Sequence, residues 1–301
     1  MSKMGQHRFF AKVGRHGAWV LNLDAELEMA EPSYCARSRV LAQLERYGLG
    51  ARALLGPKDM LLDGSDQTAI GRTGRAWCPT PRAIARMAKA GVEPEPHPPL
   101  SVLQAVNHRK FAADLGLGLA EQRYIEDRVE LDELLSNNEH PWLLKRPLSF
   151  AGRGQQRIFG QVDAKQSAWI DASLRRSGLV IEPFVTPTLE VSLHGFIWRD
   201  RRHQLGLPCV QEVSSRGVFI SIRLMRAGEL LPGEERQLAD AAEQTAAALA
   251  AAGYFGPFGI DGYRYSSDGR ADFCALSEIN ARYSMGFVTG FPLHPSEISL
   301  E

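Results

Sequence analysis

The chain has 301 residues, 44% of them hydrophobic, and its 35 basic side chains balance 35 acidic ones for a formal net charge of zero. That length and apolar content describe a folded protein of one large or two to three small domains and exclude a disordered chain. Zero net charge argues against a protein whose main task is coating nucleic acid.

Cys35, Cys78, Cys209 and Cys274 lie far apart with no CxxC pair, so they read as small buried hydrophobes in a reducing compartment. The N-terminal stretch has neither the continuous apolar core nor the cleavage site of a signal peptide. No run reaches the ~20 apolar residues of a membrane helix. The expectation is a soluble, cytoplasmic protein that engages neither membrane nor nucleic acid.

In chain order, AWVLNL at 18–23 reads as a first strand followed by an acidic loop. Ser33 to Tyr47 carries Val40, Leu41, Leu44 and Tyr47 at helical spacing and stops at Gly48. Thr80 and Pro81 supply an N-cap hydroxyl and an N1 proline for a second helix that ends at Gly91. The proline-rich GVEPEPHPPL then marks a boundary near residue 95.

Helical segments follow at 99–116 and 129–136, then the short strand Trp142 to Arg146, ended by Pro147, and a glycine turn feeding a second strand. Asp163 to Arg176 is an amphipathic helix with Gly178 beyond it. Leu179 to Phe184, Leu189 to Trp198, Cys209 to Val213 and Val218 to Leu224 all read as strands, in an α+β unit of antiparallel pairs. A long helix rich in Ala, Leu, Glu and Gln spans Glu234 to Ala251. The hairpin Phe258 to Tyr265 and Ala271 to Ile279, turning at Asp268-Gly269, closes the pattern.

Three features carry chemistry. Lys145 ends a strand beside the turn Ser149, Phe150, Ala151, Gly152, Arg153, Gly154, where a lysine and backbone N–H groups can hold phosphate oxygens. In the hairpin, Glu278 and Asn280 are two apart and share a strand face, with Asp261 able to join them across the pair. Such hard oxygen ligands suit Mg²⁺; a solvated sheet edge is the plainer reading. Arg282, two residues further, lies on the same side if the extended path continues, ready for an acyl phosphate or carboxylate. Finally, Glu182 runs into the hinge Pro183, Phe184, Val185, where an adenine can meet exposed backbone, and Glu190 is placed for ribose hydroxyls.

Together these residues resemble the ATP-grasp superfamily of ATP-dependent carboxylate-amine ligases. The resemblance covers about residues 100–290. The family's lysine strand and glycine-rich phosphate loop match Lys145 and Gly152, Arg153, Gly154; its acidic hinge matches Glu182 to Val185; its ribose glutamate matches Glu190. Its metal strand matches Glu278-Ile279-Asn280, with Asp261 as the upstream aspartate. Arg109 in NHRKF stands where the family has an earlier phosphate lysine, with Lys110 as an alternative, and Arg216 or Arg223 would be the phosphate-facing cation of the central region. His194 reads as a core histidine or a general base.

The resemblance implies an α/β and α+β architecture, with a small preceding α/β domain over 1–98, a central subdomain over 99–184 and a C-terminal subdomain over 185–301. Nucleotide would lie between two subdomains that contain antiparallel sheets. It implies ATP and two Mg²⁺ ions (or Mn²⁺), with a small-molecule carboxylate and an amine as partners, among them an amino acid or short peptide. Asp261, Glu278 and Asn280 would hold metal, and Arg282, Lys145 and Arg216 would serve catalysis. A homodimer fits the family, though no self-complementary face is legible. A nucleotide sensor, a bicarbonate-activating carboxylase and simple phosphotransfer are the competing readings.

Overall fold

The computed structural model describes residues 16–63, 68–136, 140–150, 154–213, 219–267 and 269–300. A four-stranded parallel sheet opens the chain, built from β1 (Gly17–Val20), β2 (Met60–Leu61), β3 (Thr73–Ala76) and β4 (Glu93–Pro94) in the order β2-β1-β3-β4. Helices α1 (Ala25–Ala30), α2 (Ser38–Ala51) and α3 (Pro81–Lys89) accompany it. Pro81 opens α3 with Thr80 as its N-cap. Strands β2, β3 and β4 escape the sequence pattern because two to four residues hold too few periods of alternation.

The helical stretch at 99–116 is interrupted. α4 (Leu100–Asn107) and α5 (Arg109–Asp114) meet at His108, whose backbone is extended and whose Nδ1 accepts from the Lys110 amide at 3.3 Å. The break places Arg109 at the first position of a new helix.

A second sheet follows, wholly antiparallel, in the order β5-β8-β6-β7: β5 (Arg123–Ile125), β6 (Trp142–Lys145), β7 (Gln155–Ile158) and β8 (Leu179–Pro183). Helices α6 (Arg128–Ser136) and α7 (Ala164–Ser177) bury Leu131 and Ile170 against Ile125, Leu144, Ile158 and Ile181, giving this sheet its own core. Asp163 lies outside α7 as its cap: its Oδ1 accepts from the Gln166 amide at 2.7 Å, and Gln166 Oε1 accepts from the Asp163 amide at 3.0 Å.

The third sheet is the largest. β9 (Pro187–Ile197), β10 (His203–Leu205), β11 (Cys209–Val213), β12 (Phe219–Leu224), β13 (Gly256–Ser267) and β14 (Arg270–Asn280) run β12-β11-β9-β13-β14, with β10 also on β9. α8 (Pro232–Ala251) packs across it. Pro232 occupies N1, and Glu234 reaches back to the Leu231 amide at 2.8 Å, so a long run of good helix formers starts from a defined end. The short α9 (Phe287–Gly290) follows β14, and Phe287 stacks on Phe291 with ring centroids 4.9 Å apart. One continuous core joins the first and third sheets through Trp19, Leu103, Phe258, Leu276, Tyr283 and Phe287. The described residues therefore form α/β and α+β layers with three sheets, and no helix among them is long and apolar enough to cross a membrane.

Candidate active site

Register does the first part of the positioning. On β13 and β14, Asp261 pairs directly with Glu278, while Tyr263 pairs with Cys274, so a bulge in β14 falls immediately beside the two carboxylates. Bulges re-aim side chains and end regular pairing. Asp261 Oδ1 accepts from Gln211 Nε2 on β11 at 2.6 Å, and Oδ2 accepts from Asn280 Nδ2 at 2.9 Å. Burial, and next the charge of Glu278, push the Asp261 carboxyl up to about 7, against the pull of those two amides.

Glu278 is only half-buried, and its Oε1 accepts from Arg109 Nη2 at 2.7 Å. Arg109 is buried and also donates through Nη1 to the Arg146 carbonyl and to Ser149 Oγ, both at 2.7 Å. One side chain thus ties the metal-type strand to the stem of the glycine turn. Lys110 does not share this place; it pairs with exposed Asp114 at 2.5 Å and lies over the Tyr124 ring.

Arg109, Glu190, Asp261, Glu278, Asn280 and Arg282 line one cavity of about 520 Å³. Glu190, on β9 opposite Gln211 and Tyr263, has a carboxyl raised above its ordinary range by burial alone. His194 also lines the cavity, but as a buried wall residue. Its Nε2 meets Ser192 Oγ and its Nδ1 meets Ser284 Oγ, each at 3.1 Å, and burial lowers it to about 4. A neutral imidazole held between two hydroxyls is a positioning group and a poor base at neutral pH.

Lys145 and Glu182 stand apart from that cavity's wall. They form a buried pair, Nζ to Oε1 at 2.5 Å, and Glu182 Oε2 accepts from Gln122 Nε2 at 2.6 Å. Tyr263 connects the two places: it lines the cavity, and its hydroxyl is raised by burial first and then by the charge of Glu182. In the hinge, Phe184 donates its amide to the Pro141 carbonyl at 2.7 Å, whereas the Val185 amide has no backbone partner among the described residues. Gly154 sits at φ 74° and accepts from the Arg146 amide at 2.8 Å, a backbone that disfavours side chains.

Two expectations are corrected. Arg282 does not continue the strand: β14 ends at Asn280, the Arg282 amide folds back onto the Asn280 carbonyl at 2.9 Å, and the guanidinium pairs with Glu26 beyond β1. It lies over the Trp77 ring at 5.1 Å. Burial opposes its charge, and the surrounding anionic groups, Glu26 first and then Cys78 and Glu278, together hold it above arginine's ordinary value. Arg223 is likewise no free cation, since Glu229 takes both of its terminal nitrogens at 2.8 and 2.7 Å. Gly152, Arg153, Arg216 and Asp268 lie outside the described residues.

Sequence reasoning missed Gln211, Gln122, Glu26 and Trp77. Gln211 had one usable signal: it lies two residues from apolar Cys209 on a strand whose partner carries Glu190 opposite it. Glu26 and Trp77 had none, because only the docking of the first sheet on the third brings them to Arg282.

The donor set fits a hard divalent cation. Among the described residues no group of three or more His, Cys, Asp and Glu is arranged around a metal position, because this centre is two carboxylates and an amide. Two adjacent carboxylates, one of them raised by burial and then by the charge of the other, are the arrangement a bound cation relieves, and the oxygen donors match Mg²⁺ in kind.

Comparison with known proteins agrees with this geometry. A family model described as the ATP-grasp domain matches residues 110–284. No curated protein matches the sequence. Among solved structures, N5-carboxyaminoimidazole ribonucleotide synthetase from Thermus thermophilus is 19% identical with a TM-score of 0.51, over 89% of this chain and 71% of that one. D-alanyl-alanine synthetase A from Vibrio cholerae O1 biovar eltor is 11% identical with a TM-score of 0.53, over 89% and 88%. Pyruvate carboxylase from Rhizobium etli is 13% identical with a TM-score of 0.56, over 92% of this chain but 27% of that one. At these identities the structures speak for the fold, and the domain match, spanning more than half of the sequence, shows that this chain belongs to the ATP-grasp family.

Proposed function

We propose that the protein is an ATP-dependent ligase that activates a substrate carboxylate as an acyl phosphate and condenses it with an amine, releasing ADP and phosphate. The observation that carries this reading is the convergence of Asp261, Glu278, Asn280 and Arg109 on one cavity beside the stem of a glycine turn. Oxygen donors for a phosphate-bound cation and a buried guanidinium for phosphate charge are what phosphoryl transfer needs.

Asp261, Glu278 and Asn280 would hold Mg²⁺ or Mn²⁺, which when bound offsets the charge of the polyphosphate. Arg109 orients Glu278 and presents the remaining positive charge to the phosphates. Glu190 would take the ribose hydroxyls, and the Val185 amide would meet the adenine edge. Lys145 serves the phosphates by exchanging its Glu182 partner for them, a change that leaves Gln122 on Glu182. Attack of the carboxylate oxygen on the γ-phosphorus forms the new P–O bond and expels ADP. The amine nitrogen then attacks the acyl carbon, phosphate leaves, and the nitrogen loses a proton. Closure around Gly154 keeps water from the acyl phosphate. In this reading the protein acts in the cytoplasm, on small molecules.

ADP release with ATP and Mg²⁺, measured against a panel of carboxylates and amines with product mass read from the same reactions, tests the proposal. Turnover that requires both partners and vanishes in Glu278→Gln supports it. Turnover that requires bicarbonate instead would assign a carboxylase-type reaction, and ATP binding without turnover across the panel would favour a sensor.

A further inference from the structure

A second cavity, of about 750 Å³, opens where the segment after α1, helix α5 and the end of α7 meet the turn that follows β6. Among the described residues only Ser149 lines both this cavity and the one that holds Asp261 and Glu278. Leu27, Met29, Phe111 and Leu148 give it an apolar wall, and Arg146 and Arg176 put two guanidiniums on it.

Arg146 is held in place without being neutralised. It is half-buried, its guanidinium lies over the Trp169 ring at 4.9 Å, and Nε donates to Ser173 Oγ at 2.9 Å. No carboxylate among the described residues pairs with it; burial, and next the charge of Arg176, lower it below arginine's ordinary value. The carboxylates on the wall are engaged elsewhere. Glu31 takes Arg176, and Asp114 takes Lys110 at 2.5 Å. The Tyr124 hydroxyl lies between exposed Glu126, at 2.9 Å, and the Ser177 carbonyl, at 2.8 Å.

Two like charges in one cavity, one of them half-buried and without a counter-ion, favour an anion between them. A guanidinium fork meets two oxygens of a carboxylate or phosphate at once, and the stack on Trp169 fixes its plane. The apolar wall calls for a body behind that head, since cavities of this size hold small organic molecules by apolar contact with a few polar anchors.

We infer that this cavity binds a small organic oxyanion, a phosphate ester or a carboxylate, with its charged head on Arg146 and Arg176 and its apolar body on Leu27, Phe111 and Leu148. It is a second ligand and not a reacting group, because Asp261 and Glu278 line the other cavity. Its binding does not rest on the ligase reading. Ser149 Oγ and the Arg146 carbonyl both accept from Arg109, which also holds Glu278, so the ligand adjoins the contact that ties the two cavities together.

The test is a calorimetric titration of the full-length protein, with and without Mg²⁺ and a non-hydrolysable ATP analogue. The probes are phenyl phosphate, phenylacetate, inorganic phosphate and benzyl alcohol. At least one of the two organic anions should bind, one per chain, whether or not the analogue is present. Inorganic phosphate should bind about tenfold more weakly than phenyl phosphate if the head is a phosphate, for want of the apolar body. Benzyl alcohol should show no saturable binding. Arg146→Met keeps an apolar stem on Trp169, and Arg176→Gln changes an exposed side chain; each should weaken the anion on the order of tenfold or more. Glu31→Gln releases Arg176 and should tighten the anion severalfold, an outcome that a merely structural Arg176–Glu31 pair would not give.

Displacement of the anion by the ATP analogue, equal binding of benzyl alcohol, undiminished binding in Arg176→Gln, or no binding by either organic anion would each overturn the assignment. Binding of phenyl phosphate alone identifies the head as a phosphate ester, and binding of phenylacetate alone identifies it as a carboxylate. Saturable anion binding by a protein that releases no ADP with any carboxylate and amine would leave this site standing and remove the ligase reading.

Discussion

The second and third sheets both carry charge into the interior, and they treat it differently. On the four-stranded sheet, Lys145 and Glu182 neutralise one another, and Gln122 fills the second oxygen, so the group is closed. On the six-stranded sheet, Asp261 and Glu278 lie side by side on adjacent strands, and a single guanidinium reaches one of them. The first arrangement is electrostatically complete; the second waits for positive charge. A complete buried pair is expected to matter most for folding, and an incomplete one for binding, because breaking the former strands a charge while the latter is already short of one.

Glu278→Gln puts the largest effect on the open side of that comparison. The variant keeps an oxygen for Arg109 but removes the charge that a cation and its phosphates need. ADP release should fall roughly a hundredfold to a thousandfold, the scale of losing one electrostatic contact to a transferring phosphoryl group. The midpoint of urea unfolding should move far less than the rate. A variant that unfolds yet keeps its specific activity would reverse the assignment of the two sheets.

Lys145→Met tests the closed side. It leaves Glu182 buried with only Gln122 as partner and should cost about 3–5 kcal/mol in urea unfolding. The double variant Lys145→Met with Glu182→Leu should regain most of that loss, since two matched apolar groups replace two matched charges. If Lys145 also serves the phosphates, activity stays lost in the double variant, which separates its two contributions.

The contrast also explains what was legible in the sequence. Lys145, Asp261, Glu278 and Asn280 were readable because strand alternation fixes which face each occupies, and long strands such as β13 and β14 show that alternation over many residues. The direction of Arg282 was not legible because that rule stops with the strand: after Asn280 the backbone turns, and side-chain direction no longer follows from spacing. Arg109 became distinguishable from Lys110 only through the extended residue His108, a break that helical periodicity does not announce. Glu26 and Trp77 belong to the cavity by docking alone. The short strands β2, β4 and β5 are held by neighbours more than by pattern, so composition gave them no signature.

His194 sits on the open side without sharing its chemistry, and pH separates it from the carboxylates. The folded protein holds it neutral down to about pH 4, against an ordinary value of 6.5. Between those limits the unfolded chain binds the additional proton, so this contribution to stability is complete above ~pH 6.5 and declines as pH falls toward 4, by roughly 3 kcal/mol. Asp261 and Glu190, both raised, contribute with the opposite sign, because the folded state then holds the proton more tightly. Urea unfolding of the wild type and His194→Gln across this range isolates the histidine: the difference between them should shrink as pH falls. A difference that is flat across the window would mean that His194 is protonated in the folded protein.

The smallest effect belongs to the closed side's scaffold. Asp163 caps α7, which packs on the sheet that carries Lys145 and Glu182, and the cap is reciprocal with Gln166. Asp163→Ala frees the amide that Asp163 Oδ1 holds and should cost about 1 kcal/mol. The site on the third sheet shares no backbone with α7, so ADP release under stable conditions should be unaltered while the unfolding midpoint drops. Loss of activity in proportion to that drop would show that α7 aligns Lys145 for the phosphates as well as supporting its sheet, and the division between a structural and a functional sheet would then be one of degree.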